Sequence, residues 1–360
     1  MKKKVVRIGT VLLALILAGS FLAVASGLAA AAPTKEKPIV WKVQTPWPIS
    51  LWNHKTADLW AKDIGEMSGG RMKVQLYSGG EIVPPFEIYD AVRRGTLDAG
   101  HTWSGYNIGK FPAMTLFAAT PGFMDVLAYI SWMEAGGGKE LWQEVYGDNV
   151  VVFPALITWA EGGGWSNKKI EKLSDFKGLK YRTALIWGKI LNDVGASVVT
   201  LPAGDIVPSL QRGTLDAAEF STPSSDLQLG FHEVCKYQYY PGVHQLATFN
   251  ELLINPKKWK ELPDDLKAIV KRAAEASVFR TLGHWALDDA KSMQLFKDKG
   301  VQMSKFPAAM QKEILERFVV EYDKHPDKMF QKVWASQKKF MKVYAPYAEL
   351  QKMDATIDIK

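Results

Sequence analysis

Six polar residues stand at the ends of predicted strands or beside glycine turns: Tyr106, Glu161, Arg182, Glu219, His244 and Gln245. Arg182 closes the run Leu179–Lys180–Tyr181–Arg182. An arginine so placed at a cleft can clamp a carboxylate through two parallel charge-assisted hydrogen bonds. Taken alone, such an arginine is more often a solvated surface group. Glu219 ends the apolar pair Ala217–Ala218, with Phe220 next. A carboxylate in those surroundings is partly buried and needs a cation or hydrogen-bond donors. It serves equally as a hard-metal ligand with Gln245 and backbone carbonyls, or as half of a structural ion pair. Familiar catalytic motifs are absent: no His-Glu-x-x-His, Cys-x-x-Cys, Gly-x-Ser-x-Gly or phosphate loop occurs. The six histidines are scattered, which suits structural roles better than catalytic ones.

These groups must be brought together by the elements that carry them. The words Arg-Gly-Thr-Leu-Asp-Ala occur at 94–99 and again at 212–217. Each copy follows a helix-like stretch opened by an acidic residue and isoleucine, Glu87–Ile88 and Asp205–Ile206. One supersecondary unit used twice implies two similar α/β lobes facing each other. The first copy runs through His101 and Trp103 to Tyr106; the second ends on Glu219–Phe220. Strands over 39–44 and 71–77 alternate with helices, an order that predicts a parallel sheet, with ligands beyond the carboxyl ends of its strands. Val150–Ile157 reads as a buried strand, 111–123 as a strand or loop crossing, and Phe249–Asn255 as a returning strand. Thr158–Trp165 contains three consecutive glycines and reads as a hinge or a plain loop between lobes. Beyond Trp259 the pattern is mostly helical, with amphipathic stretches over 307–322 and 328–344. Trp103, Tyr106, Trp165, Trp187 and Phe220 are candidates for setting pocket size, and each would serve a core equally well.

The first residues have a different purpose. Lys2, Lys3, Lys4 and Arg7 precede an apolar run over 11–28 and the small residues Ala29–Ala32. That is a secretory signal peptide with cleavage near Ala32, the alternative being a retained anchor. Without those four cations the formal charge of +7 falls to +3, so basicity gives no argument for nucleic-acid binding. The single cysteine, Cys235, excludes an internal disulfide. Stability must then come from burial, to which 13 tryptophans can contribute.

Several words together resemble the solute-binding proteins of TRAP transporters, the DctP-type family. Within it the chain is similar to the subgroup that takes 2-oxo acids and lactate. They are Met67–Ser68–Gly69–Gly70–Arg71, Gly80–Glu81–Ile82–Val83, Gly109–Lys110–Phe111–Pro112–Ala113, Gly163–Gly164–Trp165, Gly178–Leu179–Lys180–Tyr181–Arg182, Gly213 to Phe220, and Tyr239–Tyr240–Pro241–Gly242. They span roughly Trp41 to Ala274. The resemblance implies an α/β, two-lobed periplasmic-binding-protein (Venus flytrap) fold with a helical C-terminal region. It implies a periplasmic protein that does no chemistry, hands a small organic acid to membrane permease subunits, and in some relatives forms a homodimer. It also implies that Arg182 holds the substrate carboxylate, with Tyr106, Trp103, Phe220 and Glu161 around it. A metal ion would bind Glu219, the Phe220 carbonyl, Gln245 and Glu161.

Two departures shape the expectations. The subgroup often has an aromatic pair where this chain has Gly105–Tyr106, which predicts a roomier pocket. Glu161 stands in place of glutamine and adds a negative charge, which favours Ca²⁺ over Na⁺ because buried net charge is costly. Glu161 could instead accept a hydrogen bond from the ligand or merely cap the hinge. Expected lobe I is 33–160 plus about 249–285, and lobe II is 161–248 plus about 286–345, with 346–360 a tail. Losing Arg182 should abolish binding and leave ligand-free stability little changed. The rival readings are a ligand-binding sensory module and a periplasmic metal-dependent enzyme.

Overall fold

The structure, a computed structural model, describes residues 37–351. The predicted leader and the last residues of the tail lie outside the described residues.

Two sheets organise the chain. The first has the order β2-β1-β3-β10-β4, with β1 Ile39–Gln44, β2 Met72–Tyr77, β3 Ala99–Trp103, β4 Val151–Thr158 and β10 Thr248–Ile254. β1 pairs in parallel with β2 and β3, as the alternation of β and α segments predicts. β10 returns antiparallel between β3 and β4. The second sheet has the order β11-β9-β5-β8-β6-β7: β5 Gly164–Ser166, β6 Lys180–Arg182, β7 Ser197–Val199, β8 Ala217–Ala218, β9 Tyr237–Tyr239 and β11 Gln302–Ser304. The chain passes between the sheets at 159–163 and at 240–247. It passes a third time in the segment between β10 and β11.

The repeated word folds the same way twice. Helix α1 (Ile88–Arg94) ends on Gly95 at φ 81°, and α2 (Ala203–Gln211) is followed by Gly213 at φ 70°. Only glycine enters that region without steric cost. The threonine N–H after each glycine turns back, Thr96 to the Ala91 carbonyl at 2.9 Å and Thr214 to the Ser209 carbonyl at 3.0 Å. The aspartates then tie in the next strand. Asp98 Oδ2 accepts from the Lys42 N–H at 2.7 Å, and Asp216 Oδ2 from the Lys180 N–H at 2.8 Å.

Two expectations need correction. Residues 112–118 are neither strand nor open loop: Pro112–Met114 and Thr115–Ala118 are short helical turns, and only 119–123 is irregular. The run is apolar without alternation, and Pro112 starts a turn at its first position. The second concerns the C-terminal helices. Ala308–Asp323 (α4) packs on Leu185–Asp193 of the second lobe. Lys328–Leu350 (α5) instead packs against first-lobe helices around Val126–Ala135 and Gly138–Tyr146. Its buried face is Phe330, Val333, Trp334 and Gln337. Gln337 Nε2 donates to the Leu116 carbonyl at 2.8 Å, and Trp132 Nε1 to Ser336 at 3.1 Å. An amphipathic stripe announces that a helix docks but not on which lobe.

Between the lobes runs a single helix of 35 residues, Asp264–Asp298 (α3). Ser277 Oγ donates to Ala155 in the first lobe at 2.6 Å. Asp289 Oδ1, further along, accepts from Thr222 and from the Ser224 N–H in the second. Trp165 is core rather than pocket, packed between Phe231 and Phe296. Cys235 is buried as predicted, and burial pushes its thiol up to about 12.

Candidate functional site

The carboxyl ends of β6 and β8 set Arg182 beside Glu219. Parallel pairing places Arg182 across from Ala218, and the Glu219 N–H donates to the Arg182 carbonyl at 3.1 Å. Arg182 answers with Nη1, which donates to the Glu219 carbonyl at 2.7 Å and to Glu219 Oε1 at 3.1 Å. Its Nε and Nη2 both donate to the Leu201 carbonyl. Arg182 is 3% exposed. A guanidinium carries five N–H donors, and these four bonds leave one on Nη2. A two-pronged grip on a ligand carboxylate therefore requires Glu219 Oε1 to turn away from Nη1.

Glu161, at the first lobe crossing, faces the same spot. Its Oε1 lies 2.7 Å from His244 Nε2, and its Oε2 accepts from Gln245 Nε2 at 2.7 Å. The backbone fixes this contact, since the Gly242 N–H donates to the Glu161 carbonyl at 2.7 Å. The His244 ring stacks on Trp187, with centroids 5.6 Å apart. Burial, then the negative charge of Glu219, pushes the Glu161 carboxyl well above its ordinary range. Burial lowers His244 to about 4. Both shifts disfavour charge, so the contact is a hydrogen bond carrying one proton rather than an ion pair.

A metal ion fits this donor set. Among the described residues, Glu161, Glu219 and His244 have ligand atoms within 4.8 Å of one another, all buried. Two carboxylates share the site with Arg182 as the nearby full cation, and burial and the charge of Glu219 disfavour a negative Glu161 unless a cation stands beside it. Hard oxygen donors suit Ca²⁺ or Na⁺. His244 is the exception, a nitrogen among oxygens.

All the sequence-derived site residues line one cleft: Trp103, Tyr106, Glu161, Arg182, Glu219, Phe220 and Gln245. The Phe220 ring lies against the Arg182 guanidinium at 5.5 Å. The cleft volume is about 50 Å³. The space beside Gly105 is filled by the Trp103 indole, into which any Cβ at 105 would run. Trp103 is held there by bonds from Nε1 to Thr248 Oγ1 at 2.8 Å and to the Ala118 carbonyl at 3.1 Å.

Sequence reasoning missed other lining residues, including Trp47, Asn53, Thr183, Asn250, Phe318 and Tyr322. Asn250 Nδ2, Trp187 Nε1 and Tyr322 Oη are buried with no protein partner. Leu185 in the same wall has φ 62°, a strained value for a branched residue. Asn250 had a signal, a polar residue inside the apolar strand Phe249–Ile254. Phe318 and Tyr322 had none, because an aromatic pair at helical spacing reads as core.

The chain matches the model of the bacterial extracellular solute-binding protein family 7, DctP, over residues 45–329. It is 38% identical over 234 residues to the monocarboxylate 2-oxoacid-binding periplasmic protein of Nostoc sp.. That match covers 65% of this chain and 64% of the relative's own length, just under two thirds. A TRAP transporter solute-binding protein from Bordetella bronchiseptica superimposes with a TM-score of 0.85 at 28% identity, over 88% of this chain and 95% of that one. It is a mixed-occupancy dimer, with copurified calcium and picolinate in one active site and an apo site beside it. A TRAP periplasmic solute-binding protein from Pseudoalteromonas atlantica, with sodium and pyruvate bound, gives a TM-score of 0.80 at 27% identity over 88% and 97% of the two chains.

Proposed function

The chain belongs to the bacterial extracellular solute-binding protein family 7, and from that premise we propose that it captures a small monocarboxylate, a 2-oxo or 2-hydroxy acid, and delivers it to a TRAP permease in the membrane. The observation that carries this reading is the buried Arg182 facing a cleft of about 50 Å³ between lobes. A buried cation aimed at so small a space suits an anion of few heavy atoms. Tyr106, Trp103 and Phe220 wall it, and Arg182 takes the ligand carboxylate when Glu219 Oε1 turns aside. The ligand leaves unchanged, and its binding raises the closed population.

Glu219, Gln245, Glu161 and the Phe220 carbonyl would hold a cation, which supplies the positive charge the site lacks. With a ligand carboxylate present, Glu161 and Glu219 outweigh Arg182 by two charges. Ca²⁺ neutralises that excess; Na⁺ leaves one buried negative charge, which is costly. His244 stays a hydrogen-bond partner of Glu161. The exposed apolar residues Val343, Tyr347 and Leu350 at the end of α5 would meet a second copy of the chain, which light scattering on the purified protein reads directly.

Thermal-shift and calorimetric titration with pyruvate, lactate and longer 2-oxo acids, with calcium and after chelation, tests the reading. Stabilisation by these acids that weakens at least tenfold on chelation is expected. Undiminished binding without calcium would remove the ion, and no binding by any acid would remove the function. Conversion of the ligand during long incubation would point to the enzyme instead.

A further inference from the structure

Directly beside the cleft residue Asn250 lies a carboxylate that never enters the cleft. The β10–β4 register shifts at this point: Asn250 faces Leu156, whereas Glu251 faces Pro154. Ala155 is thus an extra residue in β4, a bulge of the kind that re-aims side chains beside binding sites. Glu251 is 0% exposed. Its Oε2 accepts from Ser104 Oγ at 2.9 Å, and its Oε1 from Tyr146 Oη at 2.8 Å and Asn107 Nδ2 at 3.4 Å. Asn107 also donates to Tyr146 Oη at 3.1 Å. Ser104 and Asn107 are the two ends of one turn, Ser104–Asn107, and that turn carries Tyr106. Tyr106 itself stands against the rings of Trp103 at 5.1 Å and Phe86 at 4.7 Å, with the Trp47 side chain hydrogen-bonded to its hydroxyl.

We propose that Glu251 is a positioning residue: by gripping both ends of the Ser104–Asn107 turn it fixes where Tyr106 stands in the ligand cleft. The proposal rests on the reading of that cleft as the ligand site. It adds a dependence on pH that comes from outside the cleft. An ionised Glu251 accepts from Ser104, Tyr146 and Asn107 together. When it takes a proton, one oxygen becomes a donor, the hydroxyl facing it must accept instead, and the contacts lose the charge assistance of a carboxylate. The grip on the turn then loosens.

The groups facing Glu251 cannot supply a compensating charge. They are Ser104 and Asn107 from the turn, Tyr146 and Trp142 from the helix Gly138–Tyr146, and Thr102 and Pro154 opposite it on β3 and β4. Beyond them stand Tyr89, stacked on Tyr146, and Tyr129. Burial lifts both the Tyr146 and Tyr129 hydroxyls well above their ordinary value, so they stay protonated. Burial likewise raises Glu251 to about 7 against the pull of its donors, which places the change of grip near neutrality.

The test compares the wild type with Glu251→Gln from pH 5.5 to 8.5. In calcium-loaded protein, calorimetry should show pyruvate binding weaken about fivefold as pH falls from 8 to 6, the size of one lost hydrogen bond of about 1 kcal/mol. Glu251→Gln should bind as weakly as the wild type at pH 6 and lack that step. In ligand-free protein labelled with 3-fluorotyrosine, the Tyr106 resonance, identified by its loss in Tyr106→Phe, should titrate near pH 7 in the wild type and stay fixed in Glu251→Gln. Ser104→Ala supplies the same comparison if Glu251→Gln does not fold. Identical pH profiles in wild type and variant would overturn the proposal. If neither pyruvate nor any other small 2-oxo or 2-hydroxy acid binds at any pH, the transport reading fails, and the fluorine resonance still decides the role of Glu251.

Discussion

The two copies of Arg-Gly-Thr-Leu-Asp-Ala form the same turn, make the same aspartate-to-strand bond and then part company. In the first lobe the strand continues for five residues and delivers Tyr106, a wall held from behind by neutral donors and one buried carboxylate. In the second lobe β8 stops after two residues, and Glu219 and Phe220 follow at once, bound directly to Arg182. Strand length after the repeat decides what each lobe contributes. The long copy gives an aromatic surface and the short one a charged pole. Shared scaffolding explains the common word, and the residues that differ after it carry the chemistry.

The largest break in this asymmetry is Arg182→Ala. Ligand affinity should fall more than a hundredfold, because the pole loses its charge-assisted donors. The sequence alone suggests unchanged stability without ligand, but the geometry now argues otherwise. Removing four hydrogen bonds and stranding buried Glu219 should cost about 3–5 kcal/mol, read as a lower melting temperature of the ligand-free protein. An unaltered melting curve would mean that the Arg182–Glu219 contact holds nothing together.

Next in size is Glu161→Gln. A carboxyl whose folded value is raised keeps a proton that the unfolded chain releases. Its stabilising share is therefore complete at low pH and is lost as pH rises from the ordinary carboxylate value of 4.5 through the raised one. Chelated wild-type protein should lose melting temperature across that window, and Glu161→Gln should lose less. With calcium present the order reverses, since the variant's neutral amide oxygen gives up a negative charge beside the ion. Equal slopes for the two proteins would leave Glu161 without a role in the charge balance.

Gly105→Ala probes the aromatic lobe. Its Cβ would displace the Trp103 indole from Thr248 and Ala118, costing about 1–3 kcal/mol as overpacking does. Pyruvate binding should weaken about tenfold in calorimetry. Equal affinity would show that Trp103 fills space without shaping the ligand.

Much of this was legible in the sequence, for identifiable reasons. The repeat, the glycine turns and the strand-end charges are local signals, and they led to Arg182, Glu219, Glu161 and Gln245 sharing one cleft. Asn250 escaped because its aim depends on a bulge at Ala155, in a partner strand far away in the chain. Tyr322 and Phe318 escaped because the side of the cleft they reach depends on how α4 docks. The lobe of α5 was misjudged for the same reason, since periodicity gives a helix its buried face but not the surface that receives it.

The smallest expected effect is the most direct test of the comparison. Asp98 and Asp216 occupy the same place in the repeat and make the same bond to a neighbouring strand, at 2.7 and 2.8 Å. Replacing either with alanine frees one backbone N–H, and each should cost about 1–2 kcal/mol of stability, seen as similar shifts in denaturant midpoint. Their effects on binding should differ. Asp216 ties Lys180, and β6 ends two residues later at Arg182, so loosening it moves the charged pole. Asp98 ties Lys42 in β1, and β3 runs on past it before reaching Trp103 and Tyr106, so the aromatic wall keeps its support from Glu251 and Thr248. Asp216→Ala should therefore weaken pyruvate binding about threefold, with Asp98→Ala within error of the wild type. Equal losses would mean that the lobes share the work of binding and that strand length after the repeat does not divide it.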